Sequence, residues 1–393
     1  MNLGSQVRTA IWNWRFVALF SCLVWLAPGL ADRIYGQAVP ALPAALQPYF
    51  APPAEFADKL AELRSPLVFA DGTRASSTDD WQRRRTELRR EWMQAMGPWP
   101  AVIENPRVEV LSRQERQGIE QRRVRVEIAR GQTGEGWLLV PPHTGPLPAV
   151  LVVFYEPETS VGLKGDKPDR DFGWQLAQRG FVTLNIGTPG GDAWKPDIGD
   201  AVCQPLSFHA YVAANCWQAL AHMPEVDSQR IGIVGHSYGG KWSLFGGALW
   251  DQFAAVAVSD PGIVFDETRG NVNYWEPWYL GLEPSRVYRQ RGIPTTANPA
   301  TGAYVELRNQ GHDLHELHAL ICPRPFLVSG GSEDPPERWL ALNHAVAVNR
   351  LLGVGQRVGM SNRPEHSPNA DSNAILFQFF EHFLGQSKVR DAK

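Results

Sequence analysis

Arg230-Ile231-Gly232-Ile233-Val234-Gly235-His236-Ser237-Tyr238-Gly239-Gly240 is the stretch on which the fold turns. Its first five residues read as a buried strand, and the residues after Ser237 open a helix that continues through Trp250. A Gly-x-Ser-x-Gly turn between a strand and a helix is a nucleophile elbow, too tight for bulk on either side of the serine. Gly235 and Gly239 meet that need. The turn lifts Ser237 Oγ above the sheet and sets the backbone N–H of Tyr238 where an oxyanion forms.

Outward from the elbow, apolar runs alternate with helical ones. Strands are expected at 149–155, 181–186, 254–258, 326–329 and 357–360, and helices at 172–178, 208–223, 339–352 and 374–384. Strands that are apolar throughout, with helices between them, predict a mostly parallel central sheet with helices on both faces. With the elbow, this is the α/β-hydrolase fold. Residues 106–140 alternate polar and apolar, as a β-rich meander does. Before them, Trp81, Leu88, Trp92 and Met96 mark one face of a helix packed on the body, with Arg83, Arg84, Arg85, Arg89 and Arg90 on its solvated side. The hydrolase domain is placed at 106–388, preceded by a wrapping segment and helix at 32–105. An insertion at about 262–311, rich in Gly, Pro, Trp and Tyr, reads as a lid or substrate wall.

Ser237 needs a base, and in this fold the order along the chain is Ser, acid, His. His366 falls between the strand at 357–360 and the last helix, where the base belongs; His344 and His382 lie on helices and read as structural. Two aspartates compete for the acid. Asp334 follows the strand at 326–329, the usual position, and is preferred; Asp260, after the strand at 254–258, is the alternative. The second oxyanion donor is expected from the loop Tyr155-Glu156-Pro157-Glu158, which lacks an HGGG signature and names no donor by itself. In His312-Asp313-Leu314-His315-Glu316-Leu317-His318 the histidine spacing does not match H-E-x-x-H, so no metal and no cofactor is expected.

The 393 residues carry 38 Lys+Arg against 41 Asp+Glu and are 44% hydrophobic, a globular composition with no basic run to grip nucleic acid. Residues 1–31 pair Arg8 and Arg15 with a short apolar run and a small-residue site, the pattern of a cleaved secretory signal. Without it the net charge is −5 and no spanning segment remains, so the protein is expected to be secreted or periplasmic, with no stable membrane insertion. Cys203 and Cys216 are close enough in sequence to pair, or stand as buried thiols.

The stretch from 226 to 366 resembles the bacterial glucuronoyl esterases and the related secreted carbohydrate esterases. Three features carry the likeness: Lys241 four residues after the serine, the Val258-Ser259-Asp260-Pro261-Gly262 segment, and Leu320-Ile321-Cys322-Pro323-Arg324-Pro325, where that family reads LIAPRP. The elbow itself is shared with acetyl xylan esterases, dienelactone hydrolases and prolyl-oligopeptidase-like enzymes. The resemblance implies that Lys241 touches sugar hydroxyls. One departure stands out: the family usually carries Arg after the nucleophile, supporting the oxyanion, and this chain has Tyr238. In the insertion, Trp275 and Trp278 offer stacking faces to a sugar, with Glu276 as a hydrogen-bonding partner; Trp194 and Trp339 are lesser candidates. The same rings also suit packing of the insertion onto the body.

The expected function is that of a serine carboxylesterase on polysaccharide-linked or small esters, glucuronoyl or O-acetyl, working through an acyl-enzyme. Two alternatives are a prolyl-oligopeptidase-like peptidase, for whose gating domain residues 32–140 are too few, and a non-catalytic carbohydrate-binding scaffold.

Overall fold

The protein is described by a computed structural model over residues 41–283, 285 and 288–385; the signal segment at 1–31 lies outside them. Helix α1 (Thr78–Met96) leads into three long strands, β1 (Val108–Arg116), β2 (Ile119–Ala129) and β3 (Gln132–Val140). Then come β4 (Leu147–Val153), the single turn α2 (Pro157–Ser160), α3 (Phe172–Ala177), β5 (Val182–Ile186) and α4 (Pro205–Ala221). The elbow joins β6 (Val226–His236) to α5 (Tyr238–Leu249), and β7 (Ala255–Ser259) follows. A long connection reaches α6 (Gly302–Asn309) and α7 (His315–Ile321), before β8 (Phe326–Gly330), α8 (Trp339–Leu351), β9 (Val358–Asn362) and α9 (Ala370–Phe383).

The strands form one nine-stranded sheet in the order β1-β2-β3-β5-β4-β6-β7-β8-β9. The first three pair antiparallel, β3 meets β5 antiparallel, and every pairing from β5 to β9 is parallel. Position in the sheet decides how each strand reads. The parallel strands are covered on both faces, so β5, β7 and β8 are buried at every residue and show no alternation. Edge strand β1 is mostly exposed.

On one face, Val150, Val152, Val234, Ala257 and Leu327 share a core with Phe172 and Leu176 of α3 and with Leu376, Phe377 and Phe380 of α9. Leu46 and Phe50 of the segment before α1 enter the same core. On the other face α5 sits directly on the sheet. A Cβ on Gly247 would come 2.6 Å from Val256 Cγ1, so glycine there lets the helix reach β7.

Helix α1 buries Trp81, Leu88, Trp92 and Met96, as its spacing demands. Arg83 and Arg90 are exposed, as a solvated row requires, but the other three arginines of that row are not. Arg84 is fully buried and meets Glu87 and Glu91 at 3.0 and 3.1 Å, while Arg85 and Arg89 both reach Asp251 beyond the end of α5. Asp251 is remote in sequence, which is why Arg85 and Arg89 read as free there. Cys203, Cys216 and Cys322 are buried free thiols, so the pairing that spacing allowed is not formed.

Candidate active site

Ser237 stands between β6 and α5 at φ 55° and ψ −110°, a left-handed conformation that costs a non-glycine residue energy and persists only where its surroundings impose it. Those surroundings are visible. The Ser237 N–H donates to Ser259 O at 2.7 Å, tying the elbow to the end of β7. A Cβ on Gly239 would lie 2.0 Å from Val153 O, and one on Gly235 would lie 2.3 Å from the Gly239 carbonyl carbon. The turn therefore rests on the end of β4. The N–H of Tyr238 opens α5 and has no acceptor within its own helix, which leaves it free beside Ser237.

His366 follows β9, as the order along the chain requires. Its Nε2 lies 2.9 Å from Ser237 Oγ and its Nδ1 lies 2.7 Å from Asp260 Oδ2. With Nδ1–H donating to the carboxylate, Nε2 is left to accept the serine proton. The acid beside the histidine is thus Asp260 and not the preferred Asp334. Both are fully buried, yet their neighbours differ. Asp260 Oδ1 accepts the N–H groups of Gly331 and Asp334 at 2.7 and 2.9 Å, the Glu333 N–H reaches both oxygens at 3.2 and 3.3 Å, and Oδ2 faces His366. Asp334 has both oxygens taken, accepting the N–H groups of Gly262 and Ile263 at 2.8 and 2.6 Å. It anchors the start of the insertion. Burial, and then the Asp260 charge, push the Asp334 carboxyl above the usual carboxylate range.

Two residues that the sequence reading missed hold the histidine. Arg363 Nη2 donates to His366 O at 2.6 Å, and its Nη1 donates to Ser329 O at 2.9 Å, so the loop after β9 is pinned to the end of β8. His236 packs its ring 4.8 Å from that of His366. Burial, and next the His366 charge, hold His236 well below its ordinary value, so it is a neutral neighbour. The x in G-x-S-x-G and an arginine three residues before the base were the only signals available, and neither implies a role by itself.

Ser237 opens onto a cleft whose walls include Tyr155, Trp194, Lys241, Trp278 and Arg291. Lys241 is buried, with Nζ donating to Pro261 O and Asn271 O at 2.6 and 2.9 Å, and burial pushes its pKa down to about 8. Two of its three N–H groups are thus engaged, and one remains for the cleft. Trp278 lines the cleft. Trp194 is 48% exposed at its rim, and the Arg291 guanidinium lies 5.8 Å from the Trp194 ring and 6.0 Å from that of Trp278. Trp275 and Glu276 do not line it. Trp275 Nε1 donates to Gly292 O at 2.8 Å, and Glu276 accepts the Gly292 N–H at 2.8 Å and pairs with Arg289 at 3.2 Å. Both are spent on folding the insertion against itself. Trp339 is buried in the body.

The histidines of 312–318 diverge. His312 donates to Glu316 at 2.6 Å, beside the indole of Trp92 from α1, while His315 donates to Arg64 O at 2.7 Å. Among the described residues no group of His, Cys, Asp and Glu is placed to hold a metal ion.

No family model matches the chain. A curated protein, carbohydrate esterase MZ0003 of an unknown prokaryotic organism, is 28% identical over 189 residues. That match takes in 41% of this chain and spans 40% of the relative's length. A solved glucuronoyl esterase from Solibacter usitatus superposes with a TM-score of 0.64 at 17% identity, over 83% of this chain and 98% of that one. A promiscuous CE15 esterase from a marine bacterial metagenome gives 0.62 at 18%, over 83% and 97%. A CE15 glucuronoyl esterase from Teredinibacter turnerae gives 0.59 at 18%, over 83% and 92%. The α/β-hydrolase fold and the likeness to carbohydrate esterases, both read from the elbow and its flanks, are borne out.

Proposed function

We propose that the chain is a serine carboxylesterase acting on sugar-bearing esters, with Ser237 as nucleophile, His366 as general base and then general acid, and Asp260 as the acid that orients it. The observation that carries this is one imidazole bridging Ser237 Oγ at 2.9 Å and a buried carboxylate at 2.7 Å. Ser237 Oγ attacks the ester carbonyl as its proton passes to His366 Nε2, and the resulting imidazolium is stabilised by the Asp260 charge. His366 then protonates the departing alcohol, leaving an acyl-enzyme. Water, deprotonated by the same nitrogen, releases the acid and restores Ser237.

The cleft supports a sugar next to the reacting carbon. It presents aromatic faces at Trp194 and Trp278, and an N–H of Lys241 for a hydroxyl. Either a glucuronoyl ester or an O-acetylated sugar meets that description. The names of the superposing esterases favour the former. The signal-like start at 1–31 favours action outside the cytoplasm, and among the described residues no helix is long and apolar enough to cross a membrane.

Initial rates on benzyl glucuronate ester and p-nitrophenyl acetate test the reading. The wild type is expected to turn over at least one, and Ser237→Ala to lose about three or more orders of magnitude in kcat. Equal inertness of both proteins would overturn it and favour a binding scaffold.

A further inference from the structure

The residue after the nucleophile cannot serve the oxyanion with its side chain. Tyr238 is buried, and its hydroxyl donates to His209 Nε2 at 2.6 Å, while His209 Nδ1–H donates to Pro205 O. That phenol is turned into the protein and occupied. What Tyr238 offers the site, besides its backbone N–H, is the flat of its ring. Tyr155 lies on it, with ring centroids 4.7 Å apart and planes 19° from parallel. On its other side Trp194 stacks at 6.1 Å, and Phe154 meets its edge at 5.0 Å. The Tyr155 carbonyl is fixed as well, accepting from both the N–H and the hydroxyl of Thr188. The phenol so held lines the same cleft as Ser237.

Tyr155 is two residues beyond the end of β4, in the loop from which a second oxyanion donor is expected. That loop is poor in amides, since Pro157 has no N–H to give. Building on the esterase reading above, we propose that the Tyr155 hydroxyl is the second oxyanion donor, acting with the backbone N–H of Tyr238 in place of a cationic side chain after the nucleophile.

The proton arrangement suits the role. In the resting site Ser237 O–H donates to His366 Nε2, and the Tyr155 O–H stands in the same cleft. On attack the serine proton moves to His366 and an Oγ lone pair becomes the new bond to carbon. The carbonyl π pair moves onto oxygen, two bonds from Oγ, and the Tyr155 O–H donates to that charge. The tyrosine keeps its proton throughout, and its hydrogen bond weakens when the tetrahedral species collapses to the acyl-enzyme and the leaving group departs. Burial pushes the phenol above its ordinary pKa, so it remains a donor at neutral pH.

Tyr155→Phe is the test, because it keeps the stacked ring and removes only the hydroxyl. In the full chain with p-nitrophenyl acetate, kcat is expected to fall about 10²- to 10³-fold, the loss seen when one such donor is removed. KM should stay within about threefold, because the bond is made to the transition state. A second readout is phenylboronic acid, which forms a tetrahedral adduct on a nucleophilic serine. Its inhibition constant should rise by a factor comparable to the fall in kcat, whereas loss of packing alone would raise KM and lower thermal stability. A variant with kcat and boronate affinity within about threefold of wild type, alongside an inactive Ser237→Ala, would overturn the Tyr155 assignment and leave the esterase reading standing. A wild type that neither cleaves the ester nor binds the boronate would overturn both.

Discussion

Replacing Asp260 by Asn changes one atom and tests the whole hydrogen-bond order of the site. The carboxylate accepts from His366 through Oδ2, and through Oδ1 from the Gly331 and Asp334 amides. An asparagine has one acceptor and one donor end. If its oxygen stays with the two amides, its NH₂ faces His366 Nδ1 and forces the proton onto Nε2. That tautomer cannot take the serine proton, a fault worth about 10⁴ in kcat, or roughly 5.5 kcal/mol. If the side chain flips, its NH₂ meets two buried N–H groups, each left unsatisfied at about 1–3 kcal/mol. The flip therefore costs roughly 2–6 kcal/mol, and the variant is expected to lose between about 10² and 10⁴ in kcat. Asp334→Asn is the matched control. It spoils one of two amide contacts to Gly262 and Ile263 and should lower the melting temperature while leaving kcat within about tenfold. Initial rates on p-nitrophenyl acetate and thermal melts of both variants decide the matter. If Asp334→Asn lost three decades in kcat and Asp260→Asn stayed within one, the assignment of the acid from this geometry would be refuted.

Two further outcomes follow from the same neighbourhood. Lys241→Met should raise KM for a sugar ester about tenfold and leave that for p-nitrophenyl acetate within about threefold; equal effects on both would deny Lys241 a sugar contact. Its burial also has a pH signature. With a native pKa of about 8 against an unfolded value near 10.4, the unfolded chain holds a proton between those values that the native chain has released. Lys241 therefore adds stability as pH rises through that window and withdraws it as pH falls to 8. Denaturant melts should show wild type gaining on Lys241→Met from pH 7.5 to 10, and parallel curves would refute the burial argument. Gly239→Ala places a Cβ 2.0 Å from Val153 O, so the end of β4 or the elbow must move. Loss of about 3 kcal/mol or more in stability, with near-complete loss of turnover, is expected by denaturant melt and rate.

Much of the fold was legible because its signals are local. The parallel strands are apolar throughout since both faces are covered, and the elbow is spelled in glycines since Val153 O leaves no room for a side chain at position 239. The position of His366 beside Ser237 was legible from topology, as it follows the strand that ends the parallel series. What misled were side chains whose partners lie far along the chain. Arg85 and Arg89 sit along α1 as in a solvated row, but Asp251 turns them inward. Trp275 and Glu276 have the residue types of a sugar site, and Arg289 and Gly292 claim them for the insertion.

The two aspartates show why such a choice lies beyond sequence. Strands β7 and β8 are parallel neighbours in register, with Val258 opposite Val328 and Ser259 opposite Ser329, so the loops carrying Asp260 and Asp334 leave the sheet side by side. At that level either carboxylate reaches the histidine. What separates them is the direction in which backbone N–H groups arrive. The β8 loop folds its amides at 331, 333 and 334 onto Asp260, which orients that carboxylate with Oδ2 toward His366. The insertion folds its amides at 262 and 263 onto Asp334 and takes both of its oxygens. The two arrangements depend on each other, since Asp334 holds the insertion in place while its own N–H steadies Asp260. The carboxylate facing His366 is therefore set by how the two loops fold together.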